Sequence, residues 1–181
     1  EGALVFELTA GNEEITSQYQ FTSYNNIQTI GSTYIYNVFK DSKQRLWFAT
    51  DGKGLTMLSN GVFTHYNQAS GIKDEHIYSV TEDLKGNIWF STSDAGIYSY
   101  NGKTFKNYAI KDGLSSLSVS AVKADRLGNI VVIHKDGIDI IDSKTGNFSY
   151  INVALGVSGI NDNLGAVCTD NDGNIFVGTQ K

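Results

Sequence analysis

The chain has 181 residues, of which 40% are hydrophobic and 18% charged, with a formal net charge of −5 and a pI near 5.1. This composition is typical of a globular domain and argues against a nucleic-acid partner, because binding to phosphates depends on an excess of lysine and arginine. The single cysteine, Cys168, excludes an intramolecular disulfide and offers no metal-ligand spacing, so we expect neither a metal nor another cofactor. No apolar run is long enough to span a membrane, and the first residues lack the features of a signal peptide.

The sequence contains a motif that repeats at a regular interval. Asp41, Asp83 and Asp125 are 42 residues apart, and each opens the same turn-and-strand pattern, which returns once more at Asp170. Periods of about 40 to 50 residues built from short strands are typical of β-propeller blades, which bury their faces by stacking on one another. The repeat therefore predicts an all-β fold of propeller blades, each with four antiparallel strands.

The predicted elements follow this repeat along the chain. Alternating hydrophobicity and turn residues divide the second copy into strands over 77–82, 88–92, 97–100 and 104–108, joined by turns rich in glycine and asparagine. The whole chain then divides into a partial blade with two outer strands, three full blades and a partial blade with two inner strands: 1–34, 35–76, 77–118, 119–162 and 163–181. These amount to about four blade equivalents, and we expect them to form part of a larger propeller, because a seven-bladed ring would need about 290 residues.

Several residues suggest chemistry but have simpler structural explanations. The turns that begin at Asp83 and Asp170 look like calcium loops, yet neither is followed by the bidentate glutamate of such a loop, so we predict that the aspartates cap their own turns. Trp47 and Trp89 could stack on a sugar, but their strands predict packing between blades. We predict that His134 lies in a surface turn.

One face of the propeller is the predicted ligand-binding surface. Loops between the second and third strands of each blade open on the same face as the connections between blades, and loops on a rigid scaffold often carry function. The candidate ligand-binding residues on this face are Asp51, Lys53, Lys73, Asp74, His76, Ser93, Asp94, Lys111, Asp112, His134 and Asp136, joined by Lys135, Asn161 and Asp162. This mixture suits a polar small molecule or a protein contact.

The sequence contains no motif of a catalytic site. There is no nucleophile elbow, no phosphate-binding loop in the right context, and no local spacing of His65, His76 and His134 that predicts a metal site. Neighbouring acids such as Asp74 and Glu75 point apart in extended chain, so they are not a predicted acid–base pair. We therefore expect a noncatalytic domain with no catalytic residues.

The repeat resembles that of the two-component regulator propeller family. The resemblance is carried by the pattern Asp-x-x-Gly-Asn-Ile-Trp-Phe followed by Gly-Ile-x-x-Tyr, and it is strongest over 83–100 and good over 41–58 and 170–179. The third copy departs from it at Val131 and Val132, and the first at Gln44. The resemblance implies the periplasmic sensor region of a histidine kinase of Bacteroidetes-type bacteria, often a homodimer that senses carbohydrate-derived ligands.

Two other functions fit the same repeat. The first alternative is a scaffold or surface-recognition propeller of a secretion or cell-envelope system, and the second is a propeller enzyme such as a lyase or hydrolase. If the ring is unfinished, its terminal strands present unpaired edges, which would favour a homodimer or an edge-paired oligomer. An oligosaccharide or another polar small molecule is the expected ligand, and we expect neither nucleic acid nor membrane contact by this segment.

Overall fold

The structure is a computed structural model that describes residues 3–8, 19–24, 30–32, 34–156, 159–160, 166–170 and 172–179, and these contain sixteen β-strands. Twelve of them form three four-stranded antiparallel sheets, which we name blades 1, 2 and 3. Blade 1 contains β3 (Ile35–Lys40), β4 (Leu46–Thr50), β5 (Leu55–Ser59) and β6 (Val62–Tyr66). Blade 2 contains β7 (Ile77–Glu82), β8 (Ile88–Thr92), β9 (Ile97–Tyr100) and β10 (Phe105–Tyr108). Blade 3 contains β11 (Ala121–Ala124), β12 (Ile130–His134), β13 (Gly137–Ile141) and β14 (Phe148–Ile151).

Each blade is a meander in which consecutive strands pair, and the first strands of neighbouring blades contact each other. The connections between blades contain short 3-10 turns, at Gln68–Ser70, Ile110–Asp112 and Val153–Leu155. The all-β propeller architecture predicted from the repeat is confirmed. In blade 2 the predicted bounds of the first three strands agree with the structure, and the fourth begins one residue later.

The four remaining strands form two separate sheets. β1 (Ala3–Leu8) pairs with β2 (Tyr19–Tyr24), and β15 (Val167–Thr169) pairs with β16 (Ile175–Val177). Among the described strands, no pairing joins the first of these sheets to the second. That they complete one split blade therefore stays a prediction.

The aspartate of the repeat organises the turn between the first and second strands. In blade 2, Asp83 Oδ1 accepts the backbone N–H groups of Lys85 and Asn87, each at 2.9 Å. Its Oδ2 accepts the side-chain amide of Asn87 and the indole N–H of Trp89, each at 2.8 Å. One carboxylate thus fixes the turn, the register of the next strand and the orientation of its tryptophan, which explains why these residue types recur together.

The other copies use the same arrangement with local substitutions. Asp41 binds the Arg45 guanidinium in place of an asparagine, and it accepts the Trp47 indole N–H at 2.7 Å. Asp125 and Asp170 accept the backbone and side-chain N–H groups of the asparagine four residues later, with no tryptophan present. The prediction that Asp83 and Asp170 cap their own turns is confirmed.

Hydrophobic packing holds the blades together. Trp47 and Phe90 are fully buried in a cluster between blades 1 and 2, whereas Trp89 and Val122 belong to the cluster between blades 2 and 3. The predicted packing of both tryptophans between blades is therefore confirmed. Burial of such large aromatic surfaces is the main stabilising contribution available to the stack.

Hydrogen bonds between first strands add directional contacts near the propeller axis. Asn37 Oδ1 in β3 accepts the backbone N–H of Val80 in β7 at 3.1 Å. Ser79 Oγ donates to the Val122 carbonyl at 3.1 Å and accepts its N–H at 3.3 Å. These bonds link β3, β7 and β11 in sequence, so they fix how the blades are rotated relative to one another.

Candidate functional site

A groove of about 680 Å³ opens on the predicted ligand-binding face, beside blades 1 and 2. It is formed by the β4–β5 loop, the connection 67–76, the β8–β9 loop and the end of β10. Five of the predicted binding residues line it: Lys73, Asp74, His76, Ser93 and Asp94. The structure therefore brings together side chains that are about 20 residues apart in sequence. They belong to the connection after blade 1 and to the β8–β9 loop of blade 2.

Asp74 is the centre of the polar network in this groove. Its Oδ2 accepts the Ser93 hydroxyl and the Asp94 backbone N–H, each at 2.7 Å. Its Oδ1 accepts the His76 backbone N–H at 3.0 Å. The carboxylate thus ties the connection between blades to the β8–β9 loop.

The charge state of Asp74 follows from these contacts. Burial raises the pKa of its carboxyl, but hydrogen bonds from His76, Ser93 and Asp94 outweigh that effect, so the net pKa is lowered. Asp74 is therefore an anion at neutral pH and acts as an acceptor for its neighbours. A carboxylate with this role positions the loops and is a poor candidate for a proton donor.

His76 presents its imidazole at the edge of the groove, with 52% of the side chain exposed. Its Nδ1 lies 3.1 Å from Asp74 Oδ1, and its Nε2 lies 3.6 Å from Asp51 Oδ1. The ring also lies against Gly52, where a Cβ atom would come within 3.3 Å of Nε2. Asp51 and Asp74 thus lie on either side of the imidazole.

Lys73 is fixed at the opposite wall. Its backbone N–H donates to the Tyr98 hydroxyl at 2.9 Å, and its Nζ donates to Asn107 Oδ1 at 3.2 Å. The Asn107 amide in turn donates to the Ala95 carbonyl at 2.8 Å. The ammonium group is therefore placed at the groove by blade 2, within reach of a polar ligand.

Exposed tyrosines lie beside Asp51. Tyr34 and Tyr36 are 59% and 40% exposed, and the Tyr36 ring meets Tyr78 edge to face at 5.1 Å. Burial and the neighbouring Asp51 carboxylate raise the pKa of Tyr36. Neither tyrosine was predicted as a site residue, although the alternation along β3 indicates that Tyr36 lies outside the core.

Other predicted site residues lie outside the groove. Lys53 and Asp136 are exposed, but neither lines it. Lys111 and Asp112 belong to the next 3-10 turn, where Asp112 accepts the Ala109 backbone N–H at 3.0 Å. Asn161 and Asp162 lie outside the described residues.

The prediction that His134 lies in a surface turn was wrong, because only 1% of the residue is exposed. His134 ends β12 at the place where Thr50 ends β4 and Thr92 ends β8, and all three residues are buried; His134 pairs with Gly137 within the sheet. Its ring stacks on Tyr150, with 5.6 Å between the centroids. His134 therefore cannot belong to the ligand-binding surface.

His134 lies next to the buried carboxylate of Asp139. Its Nε2 is 3.3 Å from Asp139 Oδ2, although the approach lacks hydrogen-bond geometry, and Ser115 donates its hydroxyl and its N–H to Asp139 at 2.7 and 2.9 Å. Burial raises the pKa of Asp139, but the contacts with His134 and Ser115 outweigh burial and lower it. The two bonds from Ser115 join blade 3 to the connection that precedes it.

The described residues include no group of three or more histidine, cysteine, aspartate or glutamate side chains placed to hold a metal ion. In the same part of the chain, no helix is both long and apolar enough to cross a membrane.

The family signature described as "Two component regulator propeller" matches residues 29–52. This segment is therefore similar to one repeat of that family. The matched segment runs from the connection before blade 1 through β3, the Asp41 turn and β4. A search among curated proteins finds no significant match.

Solved structures share this propeller architecture. The extracellular domain of a hybrid two-component system from B. thetaiotaomicron superposes with a TM-score of 0.75 at 20% identity, covering 87% of this chain. The chain spans only 22% of the length of that domain. At this identity the similarity establishes the fold alone.

Propellers with other functions are also similar. Virginiamycin B lyase from Staphylococcus aureus gives a TM-score of 0.60 at 14% identity, covering 90% of this chain and 59% of the lyase. PorZ, a surface component of the type-IX secretion system of Porphyromonas gingivalis, gives 0.62 at 16% identity, with coverage of 90% and 26%. The fold therefore does not by itself distinguish a sensor from an enzyme or a secretion component.

Proposed function

We propose that this chain is a noncatalytic, ligand-sensing part of the extracytoplasmic, periplasmic region of a two-component sensor. Two findings support this proposal: the matched propeller repeat and the similarity to an extracellular two-component domain. Any histidine kinase activity would belong to another part of the same protein.

The observation that carries the proposal is the polar groove around Asp74. Its side chains are fixed by one another before any ligand arrives, which lowers the entropic cost of binding. Lys73 offers a donor and Asp94 an acceptor, and Tyr36 offers an exposed aromatic ring beside Asp51. Polar groups beside aromatic rings suit a saccharide, which presents hydroxyl groups on its edges and C–H groups on its faces.

Calorimetric titration of the chain with a panel of neutral oligosaccharides tests this proposal. We expect the His76→Ala and Asp94→Ala variants to weaken binding at least about tenfold, because each removes a polar contact at the groove. Lys103→Ala is the control, since Lys103 is exposed in the hairpin between β9 and β10 and does not line the groove. Unchanged affinity in both groove variants would place the ligand elsewhere.

The proposal includes a change in association between two receptor chains. Ligand at the groove would bridge blades 1 and 2, and a change in their relative position would alter a homodimer or an edge-paired oligomer. Sedimentation of the complete receptor region with and without the bound oligosaccharide measures this effect. A ligand that binds at the groove but leaves both sedimentation and kinase signalling unchanged would contradict the sensor function.

A cell-envelope scaffold is the second candidate, favoured by the similarity to PorZ. The complete open reading frame distinguishes the two candidates. A membrane span and a kinase domain in the same frame support the sensor, whereas a sorting or anchoring domain supports the scaffold. An enzyme remains the third candidate, and loss of a measured turnover on substitution of Asp74 or Asp94 would support it.

A further inference from the structure

A second groove, of about 610 Å³, lies between blades 2 and 3. It is formed by the Asp83 turn, the turn that precedes β12, and the hairpin between β13 and β14. These turns are at the opposite ends of the strands from the loops of the Asp74 groove. This second groove is therefore separate from the proposed sensing site.

Two positions of the repeat carry a smaller residue at the interface between blades 2 and 3 than at the interface between blades 1 and 2, which leaves space for this groove. At the interface between blades 1 and 2, Tyr100 lies 6.0 Å from Trp47 and 5.3 Å from Tyr66, measured between ring centroids. In blade 3 the residue at the position of Tyr100 is Ile141, which is too small to cover the corresponding ring of Trp89.

Asn87 is at the second of these positions. At the first interface, the Arg45 guanidinium lies over the Trp47 ring at 5.1 Å. Asn87, at the same place in blade 2, binds the turn aspartate in the same way but is too short to reach across Trp89. The tyrosine ring and the guanidinium that close the first interface are thus both missing from the second.

Aromatic rings remain in the wall of the second groove. Trp89 and Tyr108 are stacked with 5.1 Å between centroids and 27° between planes. Leu84 and Leu127 are 73% and 64% exposed at its edge. A flat apolar group of the size of the missing tyrosine ring would therefore find both a stacking partner and apolar edges.

The charged groups around this groove favour an anion. Both acids that line it are engaged by their own turns: Asp83 accepts four hydrogen bonds, and Asp142 accepts three from Lys144 and Thr145. The ammonium groups are more accessible, because the exposed Lys106 lies 4.4 Å from the centre of the Tyr108 ring and Lys144 is exposed at the hairpin. Lys85 adds a third cation, which donates to the Ser143 carbonyl at 3.0 Å across the groove.

We propose that this groove binds a small aromatic carboxylate. The ring would take the place that Tyr100 fills at the first interface, against Trp89 and Tyr108, and the carboxylate would pair with Lys106 and Lys144. Such a ligand would join blades 2 and 3 in the way that a side chain of the protein joins blades 1 and 2.

Titration with 3-phenylpropionate, followed by NMR of the two indole N–H signals, tests this proposal. We expect the Trp89 signal to shift and the Trp47 signal to stay, with a dissociation constant on the order of 1 mM or tighter. The amine analogue, 3-phenylpropylamine, should bind at least about tenfold more weakly, because it reverses the charge. Equal binding of acid and amine, or no shift of Trp89 at about 10 mM acid, would overturn the proposal.

Two variants restore the closed arrangement and should each weaken binding at least about tenfold. Ile141→Tyr supplies the missing ring, and Asn87→Arg supplies the cover that Arg45 provides in blade 1. If one of these variants does not fold, the other still tests the proposal. Lys106→Ala should weaken binding by about three- to tenfold, whereas the charge-matched control Lys103→Ala, outside the groove, should not change it. Full affinity in a folded Ile141→Tyr or Asn87→Arg variant would show that the ring does not occupy this place.

Discussion

The two interfaces between full blades are built from the same repeat but closed by different chemistry. The first, between blades 1 and 2, is filled by aromatic rings, with Trp47 fully buried among Tyr66, Tyr100 and the Arg45 guanidinium. In the second, between blades 2 and 3, Trp89 stacks on Tyr108 in a cluster that is otherwise mainly aliphatic, and it remains 7% exposed. A repeat thus preserves the framework of an interface while single substitutions decide whether it is closed or carries a groove.

The same pair of interfaces differs at the other ends of the strands. At the first, the N–H of Lys73 donates to the hydroxyl of Tyr98. At the second, the equivalent N–H of Ser115 donates to the carboxylate of Asp139, which also lies next to His134. A neutral contact is replaced by a buried charged one, so we expect the second interface to depend on pH more strongly than the first.

The largest expected effect comes from removing the two tryptophans. Trp47→Ala should lower the free energy of unfolding by about 4 kcal/mol, because it leaves a cavity in a filled interface. Trp89→Ala should lower it by about 2 to 3 kcal/mol, because part of the surface around that ring already faces a groove. Urea unfolding of both variants measures the difference, and equal losses would show that the two interfaces are packed equally well.

A smaller effect, about 2 kcal/mol, is expected for Asp139→Asn, because the substitution removes a buried carboxylate that accepts two hydrogen bonds from Ser115. Burial raises the pKa of Asp139, but the contacts from His134 and Ser115 lower it by more than burial raises it. The folded protein therefore favours the carboxylate. A lowered pKa contributes stability above the unfolded value of about 3.9, and this contribution is lost as the pH falls below it. The difference between wild type and variant should therefore narrow below about pH 4.

Urea titrations of both proteins between pH 3 and pH 7 measure this dependence. Asp136→Asn in the same hairpin is the control, since Asp136 is exposed, and it should change stability little at any pH. A constant difference between wild type and Asp139→Asn across the whole range would mean that Asp139 contributes by its shape and not by its charge.

The repeat predicted the strands well because every copy carries the same turn chemistry. Asp83, Gly86 and Asn87 determine where β7 ends and β8 begins, and these residue types are visible in the sequence. The groove around Asp74 could be predicted only in part, because loop residues come together according to how neighbouring blades are rotated. His134 was misplaced because its polar side chain suggested a loop, whereas its position ends the second strand of the blade and is buried in every full blade, as Thr50 and Thr92 also are.

The groove between blades 2 and 3 was not predicted from the sequence, for a different reason. Ile141 is an ordinary core residue when its own strand is considered alone, and it is buried in the structure. Its consequence appears only when it is compared with Tyr100, which occupies the same place one blade earlier and reaches across to the neighbouring blade. The difference between equivalent positions of neighbouring repeats therefore indicates where this groove lies, whereas the periodicity within one repeat does not.

The smallest effect that distinguishes the blades concerns their turns. Gln44 has a φ of 64°, whereas the same position in blade 2 is Gly86, with a φ of 80°. A side chain in this left-handed region costs about 1 kcal/mol, partly offset by the greater freedom of glycine in the unfolded chain, so Gln44→Gly should stabilise the protein by about 0.5 kcal/mol. The reverse change, Gly86→Gln, should destabilise it by about 1 kcal/mol, because the nearest atom to an added Cβ, Glu82 Oε1, is 3.7 Å away and only the backbone conformation opposes it. Paired urea titrations resolve the opposite signs, and a loss of stability in Gln44→Gly would mean that the glutamine side chain stabilises the first turn by more than its backbone strain costs.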